Sequence, residues 1–292
     1  MTWNLSSSKT RASWLGSLII GVSLMSCQTP PPATGRSEGK EQIVQAHAVF
    51  TVSESKRLIA KAVARMPIVE NALKNGTVIV CRGTTNTYVA EELLGQKIPH
   101  GAFVLGHVSP QKGGQQMPKV DPMPEVVLVK GQHRPDLTLE EALPRLAPSD
   151  VVIKGGNALD YANGTVGVWT GSPTGGTTGK IMPYVTAGKV HLVIPIGLEK
   201  QVAGKVVDIA GKINQPADNL TKVPRMRILT GQIVTEIEAL KILAKVEPFQ
   251  ASAGGIGGAE GAVWIVWRGK REDVEKARTI AASVQGEQPF IR

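Results

Sequence analysis

The chain has 292 residues, of which 33 are Lys or Arg and 24 are Asp or Glu, giving a net charge of +9. Hydrophobic residues make up 42% of it, which suffices for one large domain or two smaller ones. The basic residues are scattered rather than clustered, and a diffuse surplus of this kind argues against nucleic-acid recognition. We therefore expect no nucleic-acid partner.

The first 26 residues have the pattern of a secretory signal peptide. Lys9 and Arg11 form a positive start, and the uncharged run over residues 12–25 is shorter than the roughly 20 apolar residues of a spanning helix. The run ends in the sequence LMSC, which resembles a bacterial lipobox with Cys27 as the acylated residue. The sequence thus predicts export, cleavage before Cys27 and lipidation. A plain signal peptide and a short N-terminal anchor are the alternatives.

Residues 27–45 are predicted to be the lipidated cysteine and a flexible tether. Pro, Gly and charged residues dominate residues 28–42, a composition typical of an extended, solvated linker. Such a spacer would hold a folded body away from the bilayer, so the first expected partner is a membrane, reached through the lipid. Gln28 is compatible with sorting to an outer membrane, which leaves the cell membrane and the outer membrane both open.

Residues 46–222 are predicted to form an α/β domain. Thr51 and Glu54 are spaced as a capping box, and apolar residues then recur at helical spacing as far as residue 75, with Pro67 as a kink or break and Gly76 as a left-handed stop. The elements expected next are strand 77–81, loop 82–86, helix 87–94, a hairpin or lid over 107–124, strand 125–130, helix 139–146, strand 150–154, loop 155–160, helix 177–187 and strand 190–196. Val- and Ile-rich strands alternating with helices predict a mostly parallel sheet covered by helices on both faces.

Residues 223–292 are predicted to form a smaller α+β domain, with the boundary near residues 222–225. The expected elements are strand 227–230, helix 234–245, strands 249–253 and 262–267, and helix 272–284. This β-α-β-β-α order is that of a ferredoxin-like half-sandwich. Trp264 and Trp267 have opposite parity on one strand, so one indole should point outward if the sheet has an open face.

Two polar, glycine-containing loops follow predicted strands of the first domain. In a parallel sheet, ligands bind beyond the carboxyl ends of the strands and against helix N-termini. Glycine lets the backbone approach a ligand, hydroxyl and amide groups bind it, and a helix N-terminus favours an anion. The candidate ligand-binding residues are Gly83, Thr84, Thr85 and Asn86 in the first loop, and Gly155, Gly156 and Asn157 in the second. For the first loop the alternative is a simple helix N-cap.

A third glycine-rich segment, residues 174–180, ends in Lys180. It misses the phosphate-loop pattern because Thr174 replaces the first glycine and Ile181 the final Ser or Thr, and residues 254–261 likewise miss the dinucleotide fingerprint. Turns explain both clusters, so no cofactor is expected, although Lys180 remains a candidate for contacting an anion. The 5 histidines and 2 cysteines lack metal-ligand spacing, so no metal is expected.

Together these segments resemble a known superfamily of sugar-phosphate and thioester proteins. NGTVIVCRGTT (residues 75–85) looks like the phosphate loop in the sugar-phosphate-sensing domains of certain bacterial repressors. SDVVIKGGNALD (149–160), followed by NGTV (163–166) and by Lys180, looks like a segment of methylthioribose-1-phosphate isomerase and its relatives among initiation-factor exchange subunits. Ribose-5-phosphate isomerase and CoA transferases share this sheet domain. The resemblance covers roughly residues 56–200 and implies a ligand at the strand-end loops.

The chain departs from the catalytic residues of that superfamily. Asn157 stands where the isomerases carry an acid, and Cys81 lies two positions before the place of the isomerase cysteine. CoA transferases use a glutamate nucleophile, whereas Glu91 and Glu92 here fall inside a predicted helix. We therefore expect a lipoprotein that binds a small anionic or polar ligand without turnover, and we assign no catalytic residue.

Two alternatives remain open from the sequence. The first is an enzyme of the isomerase or transferase type, with Lys154, Asp160 or Lys180 supplying the chemistry; Lys154 would have to lose its proton through desolvation to act as a base or to form a Schiff base. The second is a structural or interaction protein that acts through residues 223–292. The sequence leaves the oligomeric state open.

Overall fold

The structure is a computed structural model that describes residues 42–188 and 190–291. Glu41–Arg292 group into one compact unit. The predicted signal peptide, Cys27 and most of the predicted tether lie outside the described residues. Across the described part of the chain, no helix is long and apolar enough to cross a membrane.

Helices and strands alternate through most of the described chain. The α-helices are α1 (Val52–Val63), α2 (Pro67–Asn75), α3 (Thr84–Leu94), α4 (Leu139–Ala142), α5 (Gly176–Thr186), α6 (Val206–Asn214), α7 (Glu236–Ala244) and α8 (Arg271–Val284). The strands are β1 (Val44–Phe50), β2 (Thr77–Val80), β3 (Val126–Val129), β4 (Gln132–His133), β5 (Val151–Ile153), β6 (Ala158–Asp160), β7 (Thr165–Thr170), β8 (His191–Pro195), β9 (Arg225–Leu229), β10 (Gln232–Val234), β11 (Glu247–Ala253) and β12 (Val263–Gly269).

The central sheet has six strands in the order β10-β8-β5-β2-β3-β4. β10, β8, β5 and β2 are parallel to one another, whereas β3 and β4 add an antiparallel edge. The protein is thus α/β with a mixed sheet, and the expected parallel pairing is confirmed for four neighbouring strands. The Val and Ile side chains of β2 and β5 are buried on both faces of the sheet, as expected for strands in the middle of a sheet that is covered on both sides. Helices α2 and α3 pack against β2, helix α1 packs against the neighbouring strands β8 and β10, and helix α7 packs against β10.

The predicted break at Pro67 is confirmed, because Pro67 is the first residue of α2. The capping box of Thr51 and Glu54 is confirmed as well. The predicted left-handed stop at Gly76 is wrong, since its φ is −139°. Glycine is needed there for space instead: a Cβ atom would lie 2.2 Å from Oδ1 of Asp150.

Parts of the two predicted loops are regular elements in the structure. α3 begins at Thr84, so residues 84–86 of the segment expected as a loop over 82–86 form the first turn of this helix. Residues 158–160 and 165–170 form β6 and β7, which make an antiparallel sheet with β9 in the order β6-β7-β9. The polar and glycine residues of this region favoured a loop, but the alternation in the sequence TVGVWT places Val166 and Val168 in the main hydrophobic core, where Leu159 and Leu229 are the strand partners of Val166.

The predicted strands and helices of the C-terminal region are present, with one additional strand, β10, between β9 and α7, and the expected strand pairing is wrong. β9 joins β7 and β10 joins β8, whereas the third strand of the β1-β12-β11 sheet is β1. β1 pairs with β12 along seven residues, more than the short β9 could offer. Strands from the two sides of residues 222–225 therefore share sheets. In β12, Trp264 is 41% exposed and Trp267 is fully buried, as the parity predicted.

Candidate functional site

The carboxyl ends of the parallel strands bring the two predicted loops together. Asn86, in the first turn of α3, is fully buried. Its Nδ2 donates to the carbonyl oxygens of Cys81 (2.7 Å) and Ile153 (3.2 Å), which close β2 and β5. Asn86 therefore ties the first loop to the second at the edge of the sheet where α/β proteins bind ligands.

The glycines of the second loop accept hydrogen bonds from two lysines. Nζ of Lys154 donates to the carbonyl of Gly155 (3.2 Å), and Nζ of Lys200, which follows β8, donates to the carbonyl of Gly156 (2.9 Å). Gly156 packs so closely on β7 that a Cβ atom would lie 2.1 Å from Cγ1 of Val166. The two ammonium groups thus lie at neighbouring strand ends.

Helix α1 adds a third lysine. The residues from Ser53 to Arg57 are all buried although none is apolar. Nζ of Lys56 lies 5.5 Å from the ring centroid of Phe290, and its charge interacts with those of Lys200 and Glu199. Burial lowers the pKa of Lys56 to about 8; the charge of Lys200 acts in the same direction, and that of Glu199 opposes it.

The other two lysines are also short of compensating negative charge. Burial is the main cause that lowers the pKa of Lys154 and the pKa of Lys200. Nearby carboxylates, among them Glu199 and Glu236 around Lys200, oppose this effect without reversing it. Each ammonium group is therefore less stable here than in water, and an added anion would relieve that cost.

Two glutamates occupy the ends of the outer parallel strands. Glu236, after β10, is fully buried; its Oε2 accepts from the backbone N–H of Leu198 (3.0 Å), and its Oε1 has no hydrogen-bond partner. Burial and the charge of Glu199 raise the pKa of Glu236 to about 7. Glu199 has a buried Oε2 without a hydrogen-bond partner, in space left free by Gly197. The sequence analysis named neither glutamate as a candidate.

The first loop supplies the N-terminus of α3. Gly83 is its N-cap residue and no side chain caps the helix, so the expected alternative of a Thr or Asn cap is not what forms. Thr84 follows as the first helical residue, and Thr85 is buried with an Oγ1 that has no partner. Oδ1 of Asn86 also lacks a partner. Buried polar atoms in native folds are normally satisfied, so these atoms indicate a ligand or ordered water.

Three sequence candidates have other roles in the fold. Asn157 is exposed, and its Oδ1 accepts from the backbone N–H of Trp169 (3.0 Å). Asp160 accepts hydrogen bonds from Asn163 and from the backbone N–H of Val206. Lys180 forms an ion pair with Glu140 in which both side chains are at least half exposed. The structure does not bring these three side chains into contact with the lysine cluster.

Cys81 is a buried free thiol directly after β2. Burial raises its pKa to about 12, although the neighbouring charge of Lys154 acts in the opposite direction. The thiol is therefore protonated at neutral pH and is a poor nucleophile. Among the described residues, no group of three His, Cys, Asp or Glu side chains could hold a metal ion.

Two clefts differ in what they offer a ligand. One of about 410 Å³ is lined by the ion network of Arg57 with Glu91, Glu92 and Glu287, whose charges satisfy one another. The other, of about 370 Å³, lies between the turn that contains Glu199 and the β11–β12 hairpin. The second cleft offers solvent access to the side of the cluster that Glu199 occupies.

Sequence reasoning missed four residues of this cluster. Glu199 and Lys200 stand directly after a predicted strand, a position that could have identified them. Lys56 lies in the uniformly polar stretch SESKR at a helix start, which gave no sign of being buried. Glu236 follows β10, a strand of three residues that the sequence analysis did not predict.

Comparison with known proteins identifies no relative of this chain: no family model, no curated protein and no solved structure matches it.

Proposed function

We propose that the protein binds a small anionic ligand at the carboxyl ends of its parallel strands. The observation that supports this most directly is the convergence of Lys56, Lys154 and Lys200, each with a lowered pKa. Buried positive charge without a matching counter-ion is costly, and a bound anion lowers that cost. The uncapped N-terminus of α3 adds a favourable partial charge.

The donors and acceptors that remain at the site indicate which chemical groups the ligand carries. After their bonds to Gly155 and Gly156, Lys154 and Lys200 each keep N–H donors for an anionic group. Oδ1 of Asn86 and Oε1 of Glu236 are acceptors, so they suit hydroxyl or amino groups on the same molecule. A hydroxylated or amino-substituted carboxylate or phosphate satisfies both sets.

We further propose that this ligand-binding body is an exported lipoprotein. Charge, length and cysteine placement in residues 1–27 support a lipid on Cys27, which would anchor it to the bacterial cell membrane or outer membrane. The proposal includes a ligand-binding sheet covered by helices on both faces, as the resemblance to the sugar-phosphate and thioester superfamily implies.

Thermal unfolding of the full chain against a panel of small anions tests the binding proposal. The panel contains inorganic phosphate, sugar phosphates, hydroxycarboxylates and nucleotides, with neutral sugars for comparison. An anion at a hundred times its dissociation constant should stabilise the fold by about 2.7 kcal/mol. Lys154→Met and Lys200→Met should each weaken that anion's binding at least about tenfold, because one charged hydrogen bond is lost.

Lys74→Met is the matched control, because Lys74 is exposed near the end of α2. Its affinity for the anion should equal that of the unaltered chain. Alanine at Thr84 and Thr85 together should abolish binding while the unliganded protein still folds. Unchanged affinity in all three of the site variants would sink the proposal.

An enzyme of the isomerase or transferase type is the second candidate. Glu236 favours it, because burial and the charge of Glu199 raise the pKa of the Glu236 carboxyl group to about 7, which suits proton transfer near neutral pH. Asp160 and Lys180 are engaged in other contacts, so Lys154 is the sequence candidate that remains. Turnover of the stabilising anion would favour this candidate over binding alone.

An interaction protein is the third candidate, supported by the outer face of the β1-β12-β11 sheet. Val49, Phe249 and Trp264 are each about two-fifths exposed on neighbouring strands. An exposed indole beside other apolar side chains is typical of contact surfaces. If the anion panel has no effect, Trp264→Ser is the variant to compare in partner-binding assays.

A further inference from the structure

We propose that the outer face of the β1-β12-β11 sheet, which carries Val49, Phe249 and Trp264, lies on the surface of the lipid bilayer. The partner of these apolar side chains is then a membrane and not another protein. This inference rests on the proposed lipid at Cys27, which would hold the sheet next to a bilayer. The contact orients the body on the membrane, whereas retention there still depends on the acyl chains.

The strand register places the exposed apolar side chains of this face next to one another. Val49 on β1 pairs with Trp264 on β12, and Val266 on β12 pairs with Phe249 on β11. His47 is the partner of Val266 on the other side, and its ring centroid lies 5.1 Å from that of Trp264. Because side chains alternate along a strand, these residues share the face that points away from the core. They form one continuous surface of apolar and aromatic groups.

The charges around this surface suit the headgroup region of a bilayer. Over their described length, the three strands carry one carboxylate, that of Glu247, which pairs with Arg268 (2.7 Å). In the turn between β11 and β12, Ile256 is 90% exposed, and the carboxylate of Glu260 accepts from the Gly258 N–H (2.9 Å). Charged groups are costly in the hydrocarbon of a bilayer but not among its headgroups. The sheet should therefore contact the interface without crossing it.

The position of this sheet in the chain favours a bilayer as its partner. β1 is an edge strand that begins at Val44, so residues 28–43 lead from Cys27 directly to this sheet. Those residues span about 55 Å at most, even when fully extended. The other two sheets begin farther along the chain, with β2 and β6 as their first strands. A lipid on Cys27 would thus keep this face within reach of the membrane.

The chemistry of the face agrees with that position. Tryptophan and other aromatic side chains with a polar edge prefer the membrane–water interface, and Trp264 and His47 are of this kind. The chain also has a net positive charge, which attracts it to anionic headgroups.

Photolabelling from within the bilayer tests the proposal. The full chain is purified from membranes and reconstituted into vesicles of equal parts phosphatidylcholine and phosphatidylglycerol. These vesicles contain a lipid with a diazirine group near its glycerol backbone, and the labelled peptides are quantified by mass spectrometry. Trp169 is the internal control, because it is 43% exposed, against 41% for Trp264, but lies on β7 in another sheet. Trp264 should be labelled at least about tenfold more than Trp169, since burial of one large apolar side chain favours contact by about that factor.

A double variant, Phe249→Ser with Trp264→Ser, removes the two largest exposed side chains of the face. Labelling of β1 around Val49 should then fall about tenfold, because the sheet loses its main contacts with the interface. Trp169→Ser is the matched control, and labelling of β1 in that variant should equal that of the unaltered chain. All three substitutions are at exposed strand positions, so the fold should remain intact.

The comparison of the two tryptophans in the unaltered chain needs no variant. Labelling of Trp264 no greater than that of Trp169 would overturn the orientation, and the mass of the chain shows separately whether Cys27 is acylated. An unacylated chain in which Trp264 is labelled above Trp169 would support the membrane-facing sheet and reject only the anchor. If a second copy of the chain covers the face instead, Trp264 should stay unlabelled and Trp264→Ser should reduce the size of the assembly, which would also overturn the proposal.

Discussion

Glu236 is the buried carboxyl group whose ionisation the fold opposes most clearly. Its pKa rises from 4.5 to about 7 through burial and the charge of Glu199. The folded state therefore holds the Glu236 proton to higher pH than the unfolded chain does. Stability from this group is intact below pH 4.5, falls as the pH rises toward 7, and is constant above that value.

Glu236→Gln should consequently stabilise the protein at high pH. Glutamine keeps an acceptor for the Leu198 N–H but cannot ionise. The variant should unfold with a free energy larger by about 3 kcal/mol at pH 8, and this difference should disappear near pH 4.5. Urea unfolding of both proteins across that pH range measures it. Glu70→Gln, at a half-exposed position on α2, is the matched control. A stability difference between Glu236→Gln and the unaltered protein that is independent of pH would argue against the buried acid.

At the residue scale, the sequence predicted the glycines and the helix start of the candidate site, but it did not predict the charged residues that are buried there. Gly83, Asn86 and Gly155 were predictable because strand-end glycines and helix starts have local signatures. Lys56 and Glu236 were not, because only the packing of α1 and β10 on the sheet buries them. Whether a lysine or glutamate is solvated depends on residues distant in the chain, which spacing does not reveal.

Gly76, between α2 and β2, lies so close to Asp150 that no side chain fits at this position. A Cβ atom there would lie 2.2 Å from Oδ1 of Asp150. Asp150 cannot turn away, because its two carboxylate oxygens accept from the backbone N–H groups of Thr77 and Ala147, both at 2.7 Å. Gly76→Ala should therefore cost on the order of 2–4 kcal/mol in unfolding free energy.

Gly211→Ala is the matched control for that substitution. Gly211 lies inside α6 with no atom within 4 Å of an added Cβ, so alanine should stabilise the helix by about 0.5–1 kcal/mol. Urea unfolding of the two variants should give opposite signs. The steric interpretation is rejected if both substitutions change stability by a similar amount.

The ion network of Arg57 joins α1, α3 and the segment after α8. Arg57 donates to Glu91, Glu92 and Glu287. Glu91 is 3% exposed and also accepts from the Ile98 N–H (3.0 Å), whereas Glu92 is 23% exposed. Glu91→Ala removes a carboxylate from the buried Arg57 guanidinium and an acceptor from the Ile98 N–H. The free energy of unfolding should therefore fall by about 3–5 kcal/mol.

Glu92→Ala tests the same network at its exposed side. Water screens the ion pair of Arg57 and Glu92, so the free energy of unfolding should fall by no more than about 1 kcal/mol. Chemical denaturation of the two variants in one buffer gives the comparison. Equal losses would mean that burial does not set the strength of the individual contacts.

At the element scale, sequence patterns predicted strands and helices wherever a local period was long enough. β2, β8 and α1 follow such patterns, and β5, although it has only three residues, is an uninterrupted apolar segment. β6 and β10 also have three residues each but contain a polar residue, and their pairing with β7 and β8 is what makes them strands.

At the scale of the whole molecule, the topology joins the two ends of the described chain. β1 pairs with β12, and the Gly286 N–H donates to Glu54 in the first turn of α1 (2.7 Å). The order of the C-terminal elements does not reveal pairing between such distant segments. The sequence therefore did not predict that β1 joins β11 and β12 in one sheet. The N-terminal tether would then lead directly into a strand of this sheet.

The proposed membrane attachment depends on one cysteine. If Cys27 is acylated, cells fed radioactive palmitate should label the full-length protein and hold it in the membrane fraction. Cys27→Ser should remove the label and release the protein, because the acyl chains that would hold it in the bilayer are lost. Cys81→Ala is the matched control: its thiol is buried, so label and fractionation should match those of the unaltered chain. Label retained by Cys27→Ser would reject the lipobox, whereas an unlabelled chain that still sediments with membranes would indicate an uncleaved N-terminal anchor.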